Sequence, residues 1–381
     1  MRFPTEKSDR LNRSARLVLV IGLLYVFLAG VKALESAIQC FGSGFAEGLL
    51  EAVSSPICGL AAGMLATVLV QSSSVTTATI VGLVGSGALT VGAAVPMVMG
   101  ANIGTTVTAT LAALGHLRKG PEFERAFAGA TVHDFFNLLA VLLLFPIEMA
   151  THFLEKGARF LTDLIAGAGT SAGNLTQESF IKSIVKAPVS FTQSILENWT
   201  DSRVVVGASL LILGLACIFF ALAFITSNMR KLMAGGIERS FNKILSTGGG
   251  LGGMVVGTVL TVMVQSSSIT TSVLIPLLAA GVITLENAFP VTLGANIGTT
   301  VTGLLASMAA DRPEALTIAL VHTLFNVTGT LVFYPFRRLR RIPIVLAQKV
   351  SAVASEHRRM VVVYVIGVFV VVPLLVLTIG R

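Results

Sequence analysis

Two polar strings lie inside apolar runs of this chain, and the chain contains each of them twice. Val70-Gln71-Ser72-Ser73-Ser74 recurs as Val264-Gln265-Ser266-Ser267-Ser268, followed each time by one β-branched residue and two threonines. Gly100-Ala101-Asn102-Ile103-Gly104-Thr105-Thr106-Val107-Thr108 recurs without change from Gly294 to Thr302. Both pairs are offset by 194 positions, so spacing is kept along with wording. A fixed offset of this kind restricts the fold to one that holds two copies of one unit.

The surroundings decide the class. Hydrophobic residues make up 54% of the chain and charged residues 12%. Stretches of the length needed to cross a bilayer core recur, most plainly at 204–225 and 361–379. A soluble protein of this size needs more charge to cover its surface. The chain is read as an all-α polytopic membrane protein. Polar strings repeated in such a setting point to a transporter whose substrate site lies between internal repeats.

The net charge of +8 does not point to nucleic acid. Its basic residues collect at Arg2/Lys7/Arg10/Arg13/Arg16, Arg118/Lys119/Arg125, Arg230/Lys231/Arg239/Lys243, Arg337/Arg338/Arg340/Arg341 and Lys349/Arg358/Arg359. These clusters flank apolar spans, as the positive-inside rule describes, and no aromatic-interleaved basic surface accompanies them. Cys40, Cys58 and Cys217 offer neither a disulfide framework nor metal spacing. The basic start and the apolar run from Leu17 to Val31 leave a signal peptide as an alternative, disfavoured by the run's length and by the lack of a good cleavage site.

Seven continuous spans are expected, near 17–34, 90–114, 126–148, 204–227, 286–309, 314–335 and 360–380. The apolar stretches 56–88 and 248–282 are each broken by the Gln-Ser-Ser-Ser string into halves too short to cross alone, which reads as a re-entrant helical hairpin. The divisions are then 1–55, a segment with the first span; 56–148, repeat A, with a hairpin and two spans; and 149–203, an extracellular or periplasmic loop. They continue with 204–247, a linking span and cytoplasmic loop; 248–336, repeat B; and 337–381, a basic cytoplasmic loop and the last span. A cytoplasmic N-terminus places every basic cluster on one face. The two hairpins then enter from opposite faces, an inverted-topology repeat.

Chemistry concentrates at the hairpin tips. A new half-helix begins after each triple serine, and its free N–H groups and partial positive charge favour an anion. Serine hydroxyls add donors without fixed charge, and neither string contains Lys or Arg. Gln71, Ser72, Ser73, Ser74, Gln265, Ser266, Ser267 and Ser268 are the main candidate anion contacts, with Asn102 and Asn296. The asparagines and Thr105/Thr299 also offer oxygens suited to a hard monovalent cation such as sodium. An anion entering against a negative potential needs such a partner, since each charge costs about 2.3 kcal/mol per 100 mV. Single Ser or Thr residues usually serve helix packing; two strings repeated at one offset argue against that here.

A third echo sets His133-Asp134-Phe135-Phe136-Asn137 against His322-Thr323-Leu324-Phe325-Asn326. His and Asn four apart share a helix face, and intramembrane His and Asp are functional candidates by default. A supporting structural role is preferred for His133 and His322; Thr105, Asp134, Asn137 and Asn326 are further supporting candidates, and Asp134 has no acidic counterpart. Glu35, Glu47 and Glu51 are read as an exposed connector face. Asn174-Leu175-Thr176 and Asn198-Trp199-Thr200 are glycosylation triplets that match an outside segment. Gly-x-Ser-x-Gly, Walker A and metal-ligand patterns are missing, so no catalytic residue is assigned and no enzyme activity is expected.

The doubled Gln-Ser-Ser-Ser and Gly-Ala-Asn-Ile-Gly-Thr-Thr strings, joined to the stretch from Arg125 to Asn137, resemble the type II sodium/phosphate cotransporter family over roughly 56–148 and 248–336. Animal members carry a larger extracellular loop and longer tails, so the compact form suggests a bacterial member. The resemblance implies a multi-pass protein of the plasma or inner membrane that couples phosphate import to sodium by alternating access. It implies phosphate at Gln71–Ser74 and Gln265–Ser268, and sodium at Gln265, Ser266, Thr299 and Thr302. Sodium is a co-substrate; no cofactor is expected, and the oligomeric state is left open. Near 117–122, where electrogenic members carry an acid, this chain reads Leu117-Arg118-Lys119-Gly120-Pro121-Glu122, which leaves stoichiometry open. A carrier of sulfate or a carboxylate, or a phosphate sensor that does not transport, are the rival readings.

Overall fold

The computed structural model describes residues 12–53, 55–116, 120–170, 180–233 and 250–380. Among them all regular elements are helical. The first half holds α1 (Arg13–Phe41), α2 (Ser43–Ala52), α3 (Pro56–Val70), α4 (Ser73–Ser86), α5 (Val91–Gly104), α6 (Val107–Ala113) and α7 (Gly120–Thr151). Then come α8 (Phe153–Thr170), α9 (Phe180–Trp199) and α10 (Arg203–Met233). The second half holds α11 (Gly250–Val264), α12 (Ser267–Ala279), α13 (Leu285–Ser307), α14 (Glu314–Phe333) and α15 (Arg337–Glu356). The last span, Arg359–Ile379, comprises α16 (Arg359–Ile366) and α17 (Val372–Ile379) around a π-helical turn.

Seven helical stretches among the described residues are long and apolar enough to cross a membrane, and they fall where the hydropathy pattern puts the seven continuous spans. α3, α4, α11 and α12 are shorter, and pair across Gln71-Ser72 and Gln265-Ser266. The basic residues before 12, those of 117–119 and 234–249, and the triplet at 174–176 lie outside the described residues.

The described parts of the segments expected as loops, 149–203 and 337–359, are mostly helical. Their polar composition masks a helical period: Leu154, Ala158 and Thr162 are buried on α8, and Ile344, Ala347, Ser351 and Ala354 on α15. Glu35 also departs from expectation. It lies in the last turns of α1, fully buried, and its carboxylate accepts from Lys32 Nζ at 3.1 Å, which also reaches Asp311 before α14. Glu47 and Glu51 are exposed as expected.

Close packing follows the repeat. α3 lies against α5, and α11 against α13, at glycines that permit backbone contact. A methyl added at Gly100 would sit 1.9 Å from the Leu60 carbonyl oxygen, and one at Gly294 1.9 Å from that of Met254. The halves then join through aromatic packing: Phe136 of α7 meets Phe289 of α13 and Phe333 of α14 edge-to-face, with centroids 6.0 and 5.9 Å apart.

Each of these short helix pairs also ends against an arginine of the other half. Arg125, near the start of α7, donates to the Leu278 and Ala279 carbonyls at the end of α12. Arg312, just before α14, packs its guanidinium on Gly87 at the end of α4. A guanidinium suits the exposed carbonyls of a helix C-terminus.

Candidate functional site

Each tip is built by its own glutamine. α3 ends because Gln71 takes the left-handed conformation at φ +56°, and α11 ends on Gln265 at the same angle. Each side chain folds back on the helix it terminates: Gln71 Nε2 donates to Val68 O at 2.6 Å and Gln265 Nε2 to Val262 O at 2.5 Å. This satisfies a terminal carbonyl that hydrocarbon cannot. Left-handed backbone at a non-glycine residue is strained, and such outliers gather at functional sites. The serine after each glutamine is the N-cap of the next half-helix; Ser72 Oγ accepts from Val75 N at 3.3 Å.

The amide oxygens tie each tip to the second string of its own repeat. Thr108 Oγ1 donates to Gln71 Oε1 at 3.2 Å, and Thr302 Oγ1 to Gln265 Oε1 at 2.8 Å. The family resemblance points to Thr302 and not to Thr108, although the two strings are identical.

The two tips touch. Ser74 Oγ donates to the Gln265 carbonyl oxygen at 3.1 Å, and Thr302 Oγ1 lies 3.4 Å from Ser74 Oγ. Ser73, Ser74 and Ser267 are buried, while Ser72, Gln265, Ser266 and Ser268 are half-buried and Gln71 is exposed. Ser268 makes no bond matching that of Ser74 among the described residues, so the contact is one-sided. Thr105 and Thr299 are buried, and their hydroxyls bond the carbonyls of Ala101 and Ala295 within their own helices.

Asn102 and Asn296 are gripped by the opposite repeat. His133 Nε2 lies 2.5 Å from Asn296 Oδ1, and Asn296 Nδ2 donates to Asn137 Oδ1 at 2.6 Å. His322 Nε2 and Asn326 Nδ2 lie 3.4 Å from Asn102 Oδ1. Asn137 Nδ2 also donates to the Asn102 carbonyl at 2.7 Å, so one side chain bridges both strings. The histidine–asparagine echo is thus a bracket exchanged between the halves, shorter on the Asn296 side.

Asp134 stands apart from that bracket. Its Oδ2 accepts from Tyr364 of the last span at 2.7 Å and from Thr110 of α6 at 3.4 Å. The equivalent positions in repeat B are Thr323 and Leu304, so this contact exists once. Tyr364 was missed from sequence because the last span lies outside both repeats.

Neutral donors around two helix N-termini that meet are chemically suited to a small oxyanion; clustered hydroxyl and amide oxygens suit a sodium-sized cation. The Na+/Pi-cotransporter family model matches residues 26–171 and 217–348, most of the chain and both halves of this site. The chain belongs to that family. It is similar to sodium-dependent phosphate transport protein 2B of Homo sapiens, 35% identical over 450 residues, covering 95% of this chain and 64% of that protein. The Pongo abelii protein of the same name is 35% identical over 446 residues, covering 95% and 65%. Sodium-dependent phosphate transport protein 2A of Rattus norvegicus is 35% identical over 424 residues, covering 94% and 66%. The chain thus spans about 65% of the length of these relatives. No solved structure matches it.

Proposed function

We propose that this chain is a symporter that imports inorganic phosphate with sodium by alternating access. The contact between the two tips carries the reading: Ser74 bonds the Gln265 carbonyl, which brings the starts of α4 and α12 together at one place. Gln71–Ser74 and Gln265–Ser268 offer phosphate hydroxyls, amides and backbone N–H groups, with two helix dipoles in place of a basic side chain. Asn102 and Asn296 are assigned to the same centre, their side chains positioned by the opposite repeat. Sodium is assigned to Gln265, Ser266, Thr299 and Thr302, and the 2.8 Å bond between Thr302 and Gln265 draws two of the four together. The bound cation offsets the anion's charge during transfer across the field.

The hairpins are read as re-entrant and inverted. The Arg125 contact at the end of α12 lies at the start of α7. At the far end of α7, Glu148 accepts from the Leu154 N–H of α8, α8 bonds α14 through Thr162 and Thr317, and Arg312 before α14 covers the end of α4. The two hairpins thus open at opposite ends of α7, which supports rocking of one half against the other about a fixed site. The positive-inside rule puts the Arg125 end and the N-terminus in the cytoplasm.

The test is labelled phosphate uptake into proteoliposomes at clamped voltage, with and without an inward sodium gradient. Uptake is expected to require sodium, to resist excess sulfate or succinate, and to vanish in Ser73→Leu or Ser267→Leu protein that still inserts. Sodium-independent uptake, or strong competition by sulfate, overturns the substrate and coupling assigned here. Unchanged uptake by both variants removes the tips from the site.

A further inference from the structure

Helix α15 begins with a charge pattern that disfavours it. Arg337, Arg338, Arg340 and Arg341 occupy its first turns, where the helix dipole is already positive, and no acidic residue sits in the first turn. Like charges three and four apart on a helix also repel. Among the described residues none of these arginines has a carboxylate within 4.0 Å. The positive-inside rule accounts for basic residues at this end of the molecule, but not for their convergence.

Three of them do converge. Arg337, Arg340 and Arg341 line one cavity of about 460 Å³, walled also by Tyr334 at the end of α14 and by Asn287 near the start of α13. The Arg340 guanidinium lies 5.1 Å from the Tyr334 ring centroid, which steadies it by cation–π attraction. Gln348, two turns along α15, adds a further amide donor to the wall. Among the described residues of this wall Glu286 is the one carboxylate, against three guanidinium groups. Arg338 lies on the same turn and does not line the cavity.

We infer that this cavity binds a phosphate group, at a site separate from the hairpin tips. Guanidinium groups recognise phosphate oxygens bidentately, and clustered arginines between membrane helices at the cytoplasmic end suit an anionic headgroup. Two sources carry that chemistry: a phospholipid headgroup or free inorganic phosphate. Phe336, next in sequence to Arg337, and Leu331, one turn before Tyr334, are exposed and offer apolar surface to an acyl chain.

The experiment compares full-length protein with the R337Q/R340Q/R341Q variant, with R341Q alone, and with R338Q as a charge control. Native mass spectrometry reads retention of phosphatidylglycerol against phosphatidylcholine. Equilibrium dialysis in sodium-free buffer reads labelled inorganic phosphate. The triple variant is expected to lose about tenfold in one of these affinities, R341Q about threefold, and R338Q little, as for loss of charge-assisted contacts. A loss confined to phosphatidylglycerol assigns the lipid source; a loss confined to phosphate assigns the free ion. Equal loss in R338Q and R341Q, or no loss in the triple variant for either probe, overturns the site; R341Q decides the matter where the triple variant does not fold.

Discussion

Asn102 and Asn296 occupy the same place in identical strings, yet their partners differ in strength. Asn137 bonds both strings at 2.7 and 2.6 Å, whereas Asn326 meets Asn102 only at 3.4 Å and its own carbonyl neighbour His322 at 3.1 Å. A buried amide left without its partner costs about 1–3 kcal/mol. Asn137→Ala is therefore expected to destabilise the protein by roughly 1–2 kcal/mol more than Asn326→Ala. Thermal melting in detergent reads the difference, and equal losses would mean that the two brackets are equivalent. The sequence placed His and Asn on one helix face and preferred a supporting role. It could not show that each pair reaches across to the other half, because that depends on how α7 and α14 lie against α13 and α5.

Among the elements, the pairing of α3 with α5 and of α11 with α13 depends on the absence of a side chain at Gly100 and Gly294. The obstacle at each is a backbone carbonyl, which cannot rotate away as a side chain does. Gly100→Ala and Gly294→Ala are each expected to cost about 3 kcal/mol, the upper end for overpacking. The check is the yield of monodisperse protein after extraction. A normal yield from both would mean that the helices separate at little cost. The sequence contained the signal for this contact, since both glycines belong to the repeated string, but only the fold names the opposing carbonyl.

At the scale of the whole molecule, the proposed arrangement puts Arg125 and Arg312 at opposite ends of the bundle. In protein with Cys40, Cys58 and Cys217 replaced, single cysteines at Arg312 and Gln348 are expected to react with an impermeant maleimide from opposite sides of sealed vesicles. Both positions are exposed. Labelling from the same side would undo the inverted arrangement while leaving the repeat itself intact. Charge placement and span count lead to this expectation, and the proposal draws in addition on the Arg125 and Arg312 contacts.

The sequence by itself determined the class of the molecule, its seven long apolar spans, its doubled strings and the helix ends at Gln71 and Gln265. Those properties are local: each is read from a stretch of hydropathy or from a string that carries its own caps. Tertiary structure decided what the identical strings become. In the first copy the helical hydrogen-bond ladder is interrupted at Thr105-Thr106, although both keep right-handed backbone and Val91–His116 remains one span; in the second the same nine residues run uninterrupted through α13. Beyond the interruption, Thr110 turns to Asp134 and thereby to Tyr364 of the last span; repeat B has Leu304 and Thr323 at those positions. Equal strings have equal local preferences, so a difference between them comes from the neighbours each one meets.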